Sequence, residues 1–316
     1  MKPLFIVNPR SGGGRTGRVF DNMRGSIEKI VGPIDVAFTE RQRHAADIAK
    51  EAAVAGRETV VAVGGDGSIH EVTCGLMQAV EAAGAAKSAT RLGVLGQGTG
   101  GDFRRTIGIE HRLDRYCEVI AGGKTRDIDV GRFSYQALDG SQQNAHFTNI
   151  LSVGMGGLVD RYVADMGRSM GGTAAYLFAS LRGILESVEG RLKVTVRHAA
   201  KEQLQHMNVR LIAICNGRFF GSGMEVAPMA DPADGRFEVI TMGGPKMSFI
   251  LTLPRVYSGK HLSHPDASHF PCDHIEIELE NESAGDRFLL DVDGEPLGKL
   301  PITIDLVPSV LPVLVP

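Results

Sequence analysis

The chain opens on an unbroken apolar run, Leu4–Val7, and the lack of alternation marks a strand buried on both faces. A polar, glycine-rich stretch follows over Asn8–Gly17. Val19, Met23, Ile27 and Ile30 then recur at helical spacing. Ile34–Phe38 reads as a second strand and His44–Ala55 as an alanine-rich helix. Thr59–Val63, apolar after its first residue, is a third strand. It runs into Gly64-Gly65-Asp66-Gly67 and a helix that lines up Ile69, Val72, Leu76 and Val80. Leu92–Leu95 is a fourth strand, closing on Gly96–Gly101. Strand, glycine loop and helix in repetition predict an α/β fold: a doubly wound, Rossmann-like parallel sheet over residues 1–125.

Beyond residue 125 the texture changes. Arg126–Phe133, Phe147–Val153, Arg191–Arg197, Arg210–Asn216, Phe237–Met242, His274–Leu279, Phe288–Val292 and Ile302–Val307 read as strands, many with two-residue alternation. Helical stretches interrupt them near Thr173–Ser187 and Ser248–Tyr257. The expectation is a β-rich second domain over 126–307, a sandwich of two sheets. The tail Pro308–Pro316, apolar and proline-punctuated, is expected to pack back on the first domain.

Charge and composition narrow the function. With a net charge of −3, no tryptophan and 6% aromatic residues, the chain has neither the basic field nor the stacking platforms of a nucleic-acid reader. Cys74, Cys117, Cys215 and Cys272 lie far apart and form no CxxC, so they read as reduced core residues of a cytosolic protein. No stretch approaches ~18 uninterrupted apolar residues. The N-terminus is too short for a signal peptide. A lipid substrate would therefore be met from the cytosolic face of the membrane.

Candidate chemistry sits at the glycine loops. VVAVGGDGSIHE, Val60–Glu71, turns from a buried strand into a helix, which presents backbone N–H groups to phosphate. Asp66 within that turn would repel a phosphate unless a cation bridges them, and magnesium is the natural bridge. A tight turn with a Ser68–Glu71 capping box explains part of the segment, but neither the aspartate nor three glycines. Asn8–Arg15, with Arg10, Arg15 or Arg18 beside it, can form an anion nest. Gly96–Arg105 carries Asp102, either a helix N-cap or a ligand. Three such loops at the carboxyl ends of parallel strands converge, which points to a nucleotide. In the second half, Leu289–Gly298 places Asp293 and Glu295 around a glycine, where a surface Asp-Gly hairpin is the simpler reading. Asp231 and Asp234 in Ala227–Phe237 read first as a solvated acidic turn.

In order along the chain stand NPRSGGG at Asn8–Gly14, Thr39 before His44-Ala45, GGDG at Gly64–Gly67 and GTGGDF at Gly98–Phe103. NGRFFGSGMEVAPMADPADG at Asn216–Gly235 and DGEPL at Asp293–Leu297 complete the set. This series resembles the diacylglycerol kinase catalytic family, which includes sphingosine, ceramide and bacterial lipid kinases. GGDG alone is shared with NAD kinases and phosphofructokinases; the ordered set is far more specific. The resemblance implies ATP and Mg²⁺ as cofactors, an ATP-binding first domain, a lipid-binding second domain and catalysis between them. It implies nucleotide contacts at Asn8, Ser11, Gly12, Thr39, Gly64, Gly65, Asp66, Gly67, Ser68, Glu71 and Thr99. Asp66 and Asp102 would join the magnesium network, and Asp231, Asp234 and Arg236 a mainly structural metal site. Asp293 or Glu295 would be the general base, with Asp66 beside them in catalysis. Ser68 replaces the family's usual threonine and keeps its hydroxyl. His70 before Glu71 is similar to the sphingosine-kinase branch. Gly101 replaces the usual asparagine before Asp102.

The expected reaction is Mg²⁺-dependent transfer of the ATP γ-phosphoryl group to a hydroxyl of a membrane lipid, with diacylglycerol first among acceptors. Ceramide, a sphingoid base and phosphatidylglycerol stay open, as does a homodimer. Tyr176, Leu177, Phe178, Leu181, Ile184 and Leu185 offer a wall for acyl chains, or an ordinary core helix. Two rivals remain: a soluble-substrate kinase of the NAD-kinase type, and a non-catalytic nucleotide or lipid sensor. Contact with the membrane is expected to be peripheral and transient.

Overall fold

A computed structural model describes residues 1–98, 100–137, 139–165 and 172–316 of the chain. The chain divides into two compact units, Met1–Val130 with Pro308–Pro316, and Gly131–Val307.

The first unit is built from β1 (Leu4–Val7), α1 (Ser11–Val31), β2 (Asp35–Phe38), α2 (His44–Val54), β3 (Thr59–Gly64) and α3 (Asp66–Ala82). It continues through β4 (Arg91–Gly96), α4 (Asp102–Thr106), α5 (Leu113–Gly122) and the start of β5 (Thr125–Ala137). The strands pair in parallel in the order β2, β1, β3, β4. Helices α1 and α5 pack together, and so do α2 and α3. Every residue of β3 is buried, which is why its sequence runs apolar without alternation. Helices α2 and α3 cross so closely that a Cβ on Gly75 would lie 2.1 Å from the Ala46 carbonyl oxygen. The last residues add an edge: Val313 pairs in parallel with Leu92, and Ser88 N–H bonds Val310 O at 2.9 Å.

Helix α1 departs from the sequence reading. Its buried residues are Thr16, Phe20 and Ile27, while Ile30 is exposed. The helical hydrogen bonding begins at Ser11, ahead of the expected start. It does so through three consecutive left-handed glycines, Gly12, Gly13 and Gly14.

The second unit holds β6 (Gln142–Phe147), β7 (Ile150–Gly154), α6 (Met155–Asp165), α7 (Gly172–Glu186), β8 (Gly190–His198), β9 (Lys201–Val209) and β10 (Leu211–Cys215). Then come the short hairpin β11 (Phe219–Phe220) and β12 (Met224–Glu225), β13 (Phe237–Met242), α8 (Lys246–Val256), β14 (Ala267–Cys272), β15 (His274–Leu279), β16 (Leu289–Val292) and the long β17 (Glu295–Leu314). One antiparallel sheet runs β14, β13, β10, β7, β16. The same sheet continues from β16 into β17, which also pairs with β15 and β5; β8 and β9 follow from β15, and β6 from β5. Phe133, Phe147, Leu151, Ile214, Phe237, Ile275, Leu290 and Ile302 meet in the core they enclose. The predicted strand Phe147–Val153 is two strands, β6 and β7. The chain breaks at Thr148–Asn149 because their N–H groups turn to the carboxylate of Asp293.

Candidate functional site

In the first unit the three glycine loops touch. A Cβ on Gly12 would lie 2.8 Å from Gln97 O, and one on Gly98 would lie 2.5 Å from Gly65 Cα. Gln97 N–H and Gly98 N–H both bond Gly64 O, at 2.7 and 3.2 Å. Only glycine permits backbones to approach this closely. Asn8 joins the first loop to the second, its Nδ2 donating to Ser68 Oγ at 3.2 Å, while its Oδ1 accepts Arg10 N–H at 3.0 Å. Ser11 Oγ faces Gly65, and Thr39, at the end of β2, bonds Val7 O through its N–H.

Asp66 ties the second loop to the third. Its Oδ2 accepts Gly101 N–H at 2.8 Å and Asp102 N–H at 3.2 Å, and its Oδ1 accepts Phe103 N–H at 3.1 Å. These are the donors a helix start leaves without partners, so Asp66 caps α4 from another loop. Gly101 is left-handed (φ 66°, ψ 39°). Asparagine is among the few other residues that tolerate this region, so the exchange of the family's asparagine for Gly101 preserves the backbone. Asp102 is buried, and its Oδ1 lies 2.7 Å from Arg105 NH1.

The capping box expected of Ser68 and Glu71 does not form. Helix α3 begins at Asp66 without a side-chain cap, and Ser68 Oγ receives Asn8 instead. Glu71 accepts Arg43 N–H at 2.9 Å and Ala45 N–H at 3.1 Å, so its carboxylate holds the start of α2. Thr99, expected among the nucleotide contacts, lies outside the described residues.

Beside the loops lies a cleft of about 420 Å³, lined among others by Gly12, Arg15, Gly98, His111 and Tyr116. Tyr116 Oη and His111 Nδ1 are 2.9 Å apart. Burial pushes the Tyr116 hydroxyl up to about 12. His111 is held below its ordinary value by burial, then by the charges of Arg104, Arg105 and Arg15. Both groups are therefore neutral near pH 7, in a positive field that suits an anion.

In the second unit, Asp293 and Gly294 form a two-residue hairpin turn between β16 and β17, both with positive φ (51° and 87°). The Asp-Gly hairpin read from the sequence is there, but the aspartate is not solvated. Asp293 is buried, its Oδ1 accepting Asn149 N–H at 3.0 Å and Ile150 N–H at 3.1 Å, and its Oδ2 accepting Thr148 N–H at 3.2 Å. Around it stand polar residues that sequence reasoning missed. Asp291 accepts Ser152 Oγ at 3.2 Å and Gly294 N–H at 3.0 Å. Asn149 and Asn216 donate through Nδ2 to Phe219 O and Thr148 O. The available signal was a lone aspartate inside the apolar strand Leu289–Val292. Glu295 opens β17, and its side chain lies outside the described residues.

At the expected metal loop, Asp231 and Asp234 each accept a backbone N–H two residues ahead, from Ala233 and Arg236. Arg236 Nε lies 3.1 Å from Asp234 and 3.2 Å from Glu238, whose carboxyl is raised by burial. The cation beside Asp234 is thus the protein's own guanidinium. Among the described residues, no three His, Cys, Asp or Glu side chains gather as a metal cage.

Comparison with known proteins identifies the family. A diacylglycerol kinase catalytic domain matches residues 2–133, and a YegS C-terminal NAD kinase beta sandwich-like domain matches residues 149–315, more than half of the chain. The chain belongs to the YegS-like diacylglycerol kinase family. Membership makes it an ATP-dependent kinase with an alcohol as acceptor. Among the relatives of this YegS-like kinase is "Probable lipid kinase YegS" of Escherichia coli O6:K15:H31, 25% identical over 286 residues, spanning 88% of this chain and 85% of that protein. The protein of the same name in Salmonella arizonae is 26% identical over 284 residues, with the same coverage. A crystal structure of a diacylglycerol kinase from Bacillus anthracis strain Sterne shares the fold, with TM-score 0.69 and 19% identity over 100% of this chain and 97% of that one. Yeast NADH kinase complexed with NADH shares it more loosely, at TM-score 0.53 and 11% identity over 100% and 84%.

Proposed function

We propose that this kinase acts on a membrane lipid, transferring the γ-phosphoryl group of ATP to a free hydroxyl, with diacylglycerol as the acceptor. The observation that carries the nucleotide half is the drawing together of three glycine loops by Asn8, Gly64 and Asp66. The lipid half rests on relatives named as lipid kinases that span 88% of the chain. Asn8, Ser11, Gly12, Thr39, Gly64–Ser68 and Thr99 are assigned to the nucleotide, and Glu71 supports them by holding α2.

Phosphoryl transfer passes through a loose, anionic transition state, so positioning and charge stabilisation do most of the work. The donor set in the first unit is amides and hydroxyls, which suits phosphate oxygens. Magnesium is assigned to the substrate, entering on ATP with part of its water shell. The Asp231–Asp234 loop fits a cation only where Arg236 gives way, so no catalytic step is assigned to it. Asp293 already accepts three N–H groups, which fix its carboxylate against residues 148–150. We assign it to positioning and assign the base to Glu295. The lipid oxygen attacks the γ-phosphorus, its proton passes to Glu295, and ADP departs. The enzyme is placed in the cytoplasm, visiting the inner face of the membrane.

The test is transfer of labelled γ-phosphate from ATP to diacylglycerol, ceramide, a sphingoid base and phosphatidylglycerol in micelles, with and without Mg²⁺. Glu295→Gln is expected to lower kcat by about 10²–10⁴-fold with unfolding unchanged. Label on a soluble acceptor, or on none, would sink the lipid reading.

A further inference from the structure

Eleven large hydrophobic side chains are exposed among the described residues, and five of them lie on just two helices. Phe178, Leu181 and Leu185 repeat at i, i+3 and i+7 on α7. Met247 and Leu251 stand four apart on α8. Exposure reaches 55% at Phe178, 63% at Leu185, 61% at Met247 and 69% at Leu251. The opposite faces are buried: Ala179 packs with Val159 and Tyr162, and Ile184 with Phe249. Of the acyl-chain wall read from the sequence, Ile184 is core and Phe178, Leu181 and Leu185 point to solvent. The side chains of Tyr176 and Leu177 lie outside the described residues. The two helices pack together, and Lys246 Nζ donates to Leu185 O at 2.5 Å, which ties the start of α8 to the end of α7. Exposed large apolar side chains grouped on neighbouring helices are what soluble proteins keep for a partner.

We propose that this outer face of α7 and α8 is the surface by which the kinase sits on an anionic bilayer, a proposal that rests on the lipid-kinase reading. Charge selects the occupant. The two helices carry Arg182, Lys246 and Arg255 against a single acid, Glu186. That acid is already engaged by Arg182 at 2.8 Å and by the Tyr162 hydroxyl. A second copy of the chain, docked symmetrically, would set these cations against themselves. Anionic headgroups complement them, while the leucines, phenylalanine and methionine reach the acyl boundary. No helix among the described residues is long and apolar enough to cross a membrane. Strand β16, which leads into Asp293, packs against α6, and α6 against α7. The docking face is therefore continuous with the layer that supports the assigned positioning residue.

The experiment is sedimentation of the full chain with vesicles of phosphatidylcholine alone or mixed with phosphatidylglycerol. It is run beside Met247→Ser/Leu251→Ser and Arg255→Glu, with turnover measured on vesicle lipid and on a monomeric short-chain lipid. Wild type is expected to bind the mixed vesicles, and the double variant to lose at least about tenfold in affinity, since two large side chains no longer leave water. Arg255→Glu is expected to bind more weakly and with less dependence on salt. Turnover of the short-chain lipid should be unchanged in both, and the unfolding midpoint as well, since these side chains are exposed. Equal vesicle binding by wild type and the double variant would overturn the proposal, as would dimerisation that the double variant abolishes. Vesicle binding with no lipid phosphorylated would keep the docking face and overturn the lipid-kinase reading instead.

Discussion

Asp66 in the first unit and Asp293 in the second stand far apart in sequence and do the same thing. Each carboxylate accepts three consecutive backbone N–H groups from a segment remote along the chain. For Asp66 the donors are residues 101–103; for Asp293 they are residues 148–150. The setting differs. Asp66 lies in the first turn of a helix and caps a second helix whose approach is opened by glycines. Asp293 sits in the left-handed region at a hairpin tip and holds a break between two strands. Each motif aspartate therefore organises a segment from elsewhere in the chain. A carboxylate is suited to this because it can accept from several amides at once.

The comparison can be broken at Asp293 first. Asp293→Ala would leave three buried N–H groups without their acceptor, each worth about 1–3 kcal/mol. The expected loss of stability is about 3 kcal/mol or more, read as a lower urea midpoint. An unchanged midpoint would mean the anchor is ornamental. Asp66→Ala is expected to cost less, about 1–3 kcal/mol, because water can reach part of its loop. Its larger effect should be on ATP affinity, measured by calorimetry; intact affinity would separate the loop from the nucleotide. Gly101 sharpens the point. Gly101→Val should cost about 1–2 kcal/mol through its left-handed backbone and the approach of Arg104, whereas Gly101→Asn should cost under about 1 kcal/mol. Equal costs would argue that the loop has no fixed backbone.

The smallest effect concerns a buried polar group without such an amide cradle. His261 is fully buried, and burial lowers its pKa, opposed by the Val226 backbone and Glu225. The folded chain thus favours the neutral ring. Its contribution is complete above the ordinary value of 6.5 and is lost as pH falls below that toward the folded value. Urea midpoints taken between pH 7 and 5 should fall less steeply in His261→Gln than in wild type. Parallel slopes would assign the acid sensitivity elsewhere.

How much of this was legible depended on the range of the interactions. The parallel sheet was readable because buried strands, glycine loops and the Ile69–Val80 spacing each carry a local signature. Strand β9 was not, since its side chains are mostly exposed and polar and its pairing with β8 is backbone bonding. Helix α6, rich in glycine at its start, also escaped the hydrophobic pattern. The motif residues could be picked out, but their partners could not. Glu71 looked like half of a capping box three residues wide and instead bonds amides 26 and 28 residues away. Asp293 looked like part of a surface hairpin turn because Asp-Gly is a preferred pair in two-residue hairpins. What buries it comes from 143 to 145 residues upstream.

The long strand β17 carries a consequence for how the protein is made. The edge of the first unit's sheet, with Val310, Leu311, Val313 and Leu314 all buried, is contributed by residues 308–316. All of Gly131–Val307 must be synthesised before that edge exists. The first unit, though its chain is translated first, is thus completed only after the second has been made. In the interval, strand β4 waits with an open flank, the kind of edge that invites wrong pairing. A kinase built this way acquires a finished first unit only once its second has been made.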